Sequence, residues 1–177
     1  MLFLIDLDSP LTDFEGAFLR LWREKYPEEK WIPLEERRTF ALRDEYSPEL
    51  LPKLESIYLA PGFFLNLPLV EGAKEAVDIL VGLGHEVCFC SSPLGKYENC
   101  VLEKYRWIEK NFGHDLTRKI ILTKDKTLVR GDFLIDDRPP RGILKPQWEH
   151  IIYDMPYNQH LQGRRITWKN WREVLKI

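Results

Sequence analysis

The first apolar run of the chain, Phe3-Leu4-Ile5, ends in Asp6-Leu7-Asp8. Side chains two apart on extended backbone point the same way. The two carboxylates therefore project together, which repulsion disfavours unless a cation or a proton stands between them. Two further apolar runs end in polar groups that a core would not choose: Val87-Cys88-Phe89-Cys90 leads into Ser91-Ser92, and Phe133-Leu134-Ile135 into Asp136-Asp137. In a parallel sheet such ends converge. If the first and fourth strands are neighbours, Asp6 and Asp136 come within reach of one ion. Hard oxygen ligands, few in number and with room for water and phosphate, suit magnesium rather than zinc or calcium. Taken alone, each feature has a plainer reading. A strand-end aspartate caps a turn, Ser91-Ser92-Pro93 opens a helix, and Lys104 is a solvated lysine on a helical pattern.

Short strands must hold these groups. Leu2 to Ile5 reads as a strand buried on both faces, because it is a continuous apolar run without alternation. EVCFC at 86–90, KIILT at 119–123, DFLID at 132–136 and HIIYD at 150–154 have strand length and β-forming composition. Helical stripes lie between them, clearest at 71–82, where Ala73, Ala76, Val77 and Leu80 share a face, and at 97–112. The alternation predicts an α/β three-layer sandwich with a mainly parallel central sheet and ligands bound beyond the carboxyl ends of the strands. Residues 14–66 break this rhythm, with helical segments near 12–25 and 47–59 but no buried strand. They read as a small helical cap inserted after the first strand, leaving 1–13 and 67–177 as the core domain. The tail reads as a loop followed by a short amphipathic helix carrying Trp168 and Trp171.

A chain of 177 residues can bury one substantial core. Aromatic residues make up 12%, a high share that calls for a use of rings. The 26 basic and 28 acidic residues leave a net charge of −2, so no bulk positive field invites a nucleic acid or an anionic membrane, and a small ligand is the expected partner. Cys88, Cys90 and Cys100 match no zinc or redox spacing and read as buried thiols. With a strand starting at Leu2, no signal or membrane segment is expected there, and the protein is expected to be cytoplasmic.

The order Asp-x-Asp, apolar strand ending in Ser, helical Lys, apolar strand ending in Asp-Asp resembles the four motifs of the haloacid dehalogenase (HAD) superfamily of phosphohydrolases. More narrowly, FLIDLDSPLTDFEGAFLR, CSSP, EKYRWIEKNFG, ILTKDKT, LIDDRP, WEHIIY and NQHLQ are similar in order and approximate spacing to the 5'(3')-deoxyribonucleotidases of that superfamily, over nearly the whole chain. The resemblance implies a magnesium-dependent phosphatase that removes the 5' or 3' phosphate of deoxyribonucleoside monophosphates through an aspartyl-phosphate. It implies Asp6 as nucleophile, Asp8 as proton donor and then acceptor, and Ser91 as a donor to a phosphoryl oxygen. Lys104 would present a fixed positive charge to the nucleophile and the equatorial oxygens. Magnesium would sit on Asp6, the backbone carbonyl of Asp8 and Asp136, with Asp137 orienting metal-bound water. Aromatic base contacts fall on Phe14, Phe40 and Phe64, with Ser92 and Lys124 near the sugar and phosphate. Arg138 is expected to pair with a neighbouring carboxylate, a homodimer is expected by family analogy, and His160 receives no role.

The chain departs from that pattern at three places. Ser9-Pro10 stands where Gly-Val is usual, which removes a permissive position and a backbone donor and biases Ser9 toward extended geometry. Ala41 replaces a common aromatic after Phe40, which leaves a roomier slot. Lys124 replaces a frequent arginine, trading a bidentate fork for a point charge. Two alternatives stay open at this level: a phosphatase for another small phosphomonoester, and a catalytically impaired homologue that binds nucleotides.

Overall fold

A computed structural model of the chain describes residues 1–139 and 141–177. Six strands form one sheet: β1 (Leu2–Ile5), β2 (Glu86–Ser91), β3 (Ile120–Leu122), β4 (Phe133–Asp136), β5 (Glu149–Tyr153) and β6 (Arg165–Ile166). Their spatial order is β3-β2-β1-β4-β5-β6, and every pairing is parallel. The fold is α/β, as the alternation predicts. The first and fourth strands are neighbours in register, with Phe3 opposite Phe133 and Ile5 opposite Ile135. That register brings the FLI runs of both acidic motifs to one level of the sheet. The sixth strand lies in a stretch that reads as loop; two residues with a single apolar side chain, Ile166, carry no period.

The two sheet faces are covered unequally. Phe3, Ile5, Phe89 and Ile135 belong to the main core with the helices: α1 (Phe14–Lys25), α2 (Leu51–Tyr58), α3 (Ala73–Gly82), α4 (Cys100–Phe112) and α5 (Trp171–Leu175). The α3 stripe is the expected one, with Ala73, Ala76, Val77 and Leu80 all buried. On the other face Leu4, Cys90 and Leu134 meet Trp148 and Val129, and among the described residues no helix contributes to that cluster. Irregular segments form this thin outer layer.

Between β1 and α3 the chain forms α1, several 3₁₀ turns and α2, with no strand. The expected helix at 47–59 is a 3₁₀ turn, Pro48–Leu50, that runs into α2. The α1 helix starts at an N-cap, where Asp13 accepts from the Gly16 N–H at 2.9 Å. Its buried stripe includes Ala17, Phe18 and Trp22. In the tail, Trp171 opens α5 but Trp168 precedes it, its indole N–H bonded to the Pro10 carbonyl at 2.5 Å. Cys90 and Cys100 are buried, Cys88 is half-buried, and all three are free thiols. No helix of the described residues is long and apolar enough to cross a membrane.

Candidate active site

The carboxyl ends of β1 and β4 set out the acidic groups. Asp6 directly follows β1, and its N–H donates to the Ile135 carbonyl at 2.9 Å, which ties it to the strand that ends in Asp136. Carboxylate oxygens of Asp6, Asp136 and Asp137 all lie within 4.8 Å of one another, and all three residues are buried. One Asp137 oxygen, Oδ1, has no hydrogen-bond partner among the described residues. A buried carboxylate left so is costly unless something else approaches it.

Two lysines meet these acids. Lys104, on α4, holds both oxygens of Asp8, at 2.8 and 2.7 Å, and lies 3.2 Å from the Ser91 hydroxyl. The sequence reading gives Lys104 to the nucleophile; in the structure its direct partner is Asp8, and its charge also acts on Asp6. The cation beside Asp6 is Lys126, 2.9 Å from Asp6 Oδ1 and 2.6 Å from Asp136 Oδ2. It sits on a 3₁₀ turn after β3, where Asp125 caps the turn by accepting from the Thr127 N–H at 2.9 Å. The Trp148 indole steadies this turn from the outer layer by donating to the Lys126 carbonyl at 3.3 Å.

Sequence reasoning passes over Lys126 for Lys124 and Lys104. A signal was present, since the third strand also ends in polar residues at the same edge of the sheet. Converging carboxylates need a cation from such a place.

The electrostatics follow from burial and pairing. Burial works against the charge of Lys126, but Asp6 and Asp136 outweigh it and hold the ammonium above the usual lysine range. Burial likewise opposes ionisation of Asp136, yet Lys126 prevails and its carboxyl stays below the ordinary value. Asp6 is raised, chiefly by burial, with Lys126 pulling the other way. Asp137 is pushed well up by burial and by the adjacent Asp136 and Asp6. Four acidic side chains thus crowd around two ammonium groups, and a divalent cation would relieve the repulsion that raises Asp6 and Asp137. The donor set is all oxygen, as magnesium requires. Beside the bridge between Asp8 and Thr12, the Leu7 and Thr12 carbonyls accept from the N–H groups of Thr12 and Ser9, and among the described residues no backbone N–H is bonded to the Asp8 carbonyl.

A cleft of about 480 Å³ opens above this floor. Asp6, Asp8, Lys126 and Asp136 line its base; Phe14, Phe40, Ser92, Lys124 and Arg138 line its walls. Ala41, Tyr58 and Leu59, all from the stretch between β1 and α3, extend it.

Two expected site residues, Phe64 and Ser91, do not line this cleft. Phe64 is in the core, its ring 4.9 Å beneath the Lys104 ammonium. It is turned away because the Glu103 carboxylate grips the N–H groups of Gly62, at 2.6 Å, and Phe64, at 3.0 Å. Ser91 is fully buried and touches Lys104 instead of lining the cleft. The Ser92 hydroxyl donates to the Thr123 carbonyl at 2.9 Å. Arg138 makes no ion pair among the described residues; its guanidinium lies 4.8 Å from the Phe40 ring centre. His160 is exposed. Ser9 is not extended but left-handed, at φ 78°. Its N–H, bonded to the Thr12 carbonyl at 3.1 Å, and its hydroxyl, 3.1 Å from that of Tyr157, hold it there. That conformation costs a non-glycine residue about 1–2 kcal/mol.

The family model described as "5' nucleotidase, deoxy (Pyrimidine), cytosolic type C protein" matches residues 1–177. A Bordetella pertussis protein, provisionally named a 5'(3')-deoxyribonucleotidase, is 52% identical over 99% of this chain and 95% of its own. The human 5'(3')-deoxyribonucleotidase of cytosolic type is 46% identical over 97% of this chain and 92% of its own. Among solved structures, a HAD family hydrolase of Deinococcus radiodurans with bound phosphate and sodium superposes with a TM-score of 0.64 at 16% identity, covering 98% of this chain and 93% of that one. That likeness establishes the shared fold. With sequence, fold and acidic floor in agreement, the chain belongs to the deoxy-type, cytosolic type C 5' nucleotidase family, phosphoric monoester hydrolases of the HAD superfamily.

Proposed function

We propose that the protein hydrolyses the 5' or 3' phosphate of deoxyribonucleoside monophosphates in the cytoplasm, by transfer of the phosphoryl group to Asp6. The observation that carries this reading is the meeting of Asp6 and Asp136, with the buried Asp137 close by, at the base of a cleft walled by Phe14 and Phe40. Asp6 attacks phosphorus, and water then breaks the aspartyl-phosphate, so one hard displacement becomes two easier ones. Asp8, held in one orientation by Lys104, gives a proton to the departing sugar oxygen and takes one from the attacking water. Lys126 orients Asp6 against Asp136 and supplies fixed positive charge where phosphate arrives, the part first expected of Lys104. Ser91 steadies Lys104, while Lys124 and Arg138 reach the phosphate from the walls.

A divalent cation on Asp6, Asp136 and the Asp8 carbonyl, with Asp137 beside it, would offset the repulsion between an anionic nucleophile and a dianionic phosphate. Magnesium fits this all-oxygen set. The rings of Phe14 and Phe40 offer a dry slot for a base, and Ala41 leaves that slot wide.

The test is phosphate release from dUMP and dTMP in saturating magnesium. The wild type turns over, and Asp6→Asn folds but is silent. A wild type that releases phosphate from sugar phosphates far better than from any nucleotide would replace this reading with a different substrate class.

A further inference from the structure

Tyr157 is buried, lies far from the inserted segment in sequence, and appears in none of the motifs discussed above. Its surroundings connect the two halves of the site. The hydroxyl donates to Asp137 Oδ2. With that proton committed, the Ser9 hydroxyl, 3.1 Å away, is left to donate to the tyrosine oxygen. The next residue, Asn158, donates from its amide to the Asp137 carbonyl at 2.7 Å. One short turn, Pro156–Asn158, thus grips both the side chain and the backbone of Asp137. The turn is itself fixed, because the Asn158 amide also donates to the Tyr153 carbonyl at 2.8 Å.

The effect on Asp137 is directional. Tyr157 occupies Oδ2, which leaves Oδ1 as the oxygen with no partner among the described residues, in a residue only 1% exposed. Asp6 and Asp136 each bring an oxygen within 4.8 Å of an oxygen of this carboxylate. A free carboxylate could rotate and present either oxygen or none, whereas this one is turned by a bond from a rigid aromatic side chain. The ring of Tyr157 acts at the other end of the cleft. It meets the Phe40 ring edge-on, with centroids 6.0 Å apart, and carries the Arg37 guanidinium 5.4 Å from its centre. Arg37 in turn donates to the Phe40 carbonyl at 3.1 Å.

We propose that Tyr157 is a positioning residue that turns Asp137 toward the cation site with its hydroxyl and supports the Phe40 wall of the cleft with its ring. The proposal rests on the function above for the nature of the two ligands. Outer partners of metal-site carboxylates commonly govern cation affinity in this way.

Two variants divide the roles. Tyr157→Phe keeps the ring and loses the hydroxyl; Tyr157→Leu loses both. Titration calorimetry with magnesium chloride, on enzyme without nucleotide, should show affinity weakened about tenfold in Tyr157→Phe. Its KM for dUMP in saturating magnesium should stay at the wild-type value, and its kcat should recover as magnesium is raised. Tyr157→Leu should add a rise in KM that magnesium does not reverse. Equal magnesium affinity in wild type and Tyr157→Phe, or no binding by either, overturns the proposal. Failure of the nucleotide reading would look different: the wild type would release no phosphate from any nucleotide, while calorimetry would still report on Tyr157.

Discussion

At the floor of the cleft, charged groups meet because the neighbouring strands β1 and β4 end at one level, and the turn beyond β3 and helix α4 bring lysines to that edge. At its roof, residues 37–45 contain no regular element beyond a single 3₁₀ turn and keep their shape through side-chain bonds. Arg37, almost wholly buried, organises that roof. It pairs with Glu15 and with Glu45, at 3.1 Å for the latter, and donates to the carbonyls of Thr39 at 3.0 Å and Phe40 at 3.1 Å. Glu45 closes the loop by accepting the N–H groups of Arg38 and Thr39, each at 2.6 Å. Strand register makes the floor a consequence of the fold, whereas the roof depends on one cation and two acids. Chemistry and selectivity are therefore separable: damage below should appear in turnover, and damage above in substrate affinity.

The largest effect should come from the floor. Lys126→Met leaves Asp6 and Asp136 buried without their cation, which should destabilise the fold by about 3–5 kcal/mol. It should also reduce kcat by about a hundred- to a thousandfold. Magnesium should restore part of the lost melting temperature, because a divalent ion can take over the charge. Thermal melts with and without magnesium check this, and a variant as stable and active as wild type would remove Lys126 from the site. The roof should respond differently. Arg37→Ala breaks a buried pair of similar cost, about 3–5 kcal/mol, but should raise KM for dUMP more than it lowers kcat. Steady-state kinetics well below the melting temperature decide whether that split holds.

The smallest effect is a pH dependence at the roof. Burial raises the Glu15 carboxyl from 4.5 to about 7, against the pull of Arg37. A group raised on folding binds its proton more tightly in the native state than in the unfolded one. Its stabilising contribution is therefore full below the unfolded value of 4.5 and is lost as pH rises through about 7. Urea unfolding between these limits should show stability declining with pH, and Glu15→Gln should flatten that decline. An unaltered slope in the variant would assign the dependence to another group.

Legibility in the sequence follows the same division. The floor could be read because strand ends are local features: a buried run such as Phe3-Leu4-Ile5 names its own end, and the next residues must be the polar ones. Lys126 is hard to read because it belongs to a short turn with no period of its own, and its neighbour Lys124 looks equally plausible in KDKT. Phe64 and Ser91 illustrate the converse. Their types suit the site, but their orientations depend on Glu103 and Lys104, partners distant in sequence. The Ser9 conformation could not be read from Pro10 alone, since a turn bond to Thr12 and a hydroxyl contact with Tyr157 override the local preference. The outer face of the sheet likewise needed the tertiary structure, because Trp148 and Val129 announce no helix.

The most direct test of the central claim is to mix the enzyme with dUMP and magnesium, quench in acid within a turnover, and locate the phosphoryl group by peptide mass spectrometry. The account predicts a phosphoryl group on Asp6, absent from Asp6→Asn and lost on standing in alkali. Continued phosphate release with that group on a different residue, or on none, would contradict it.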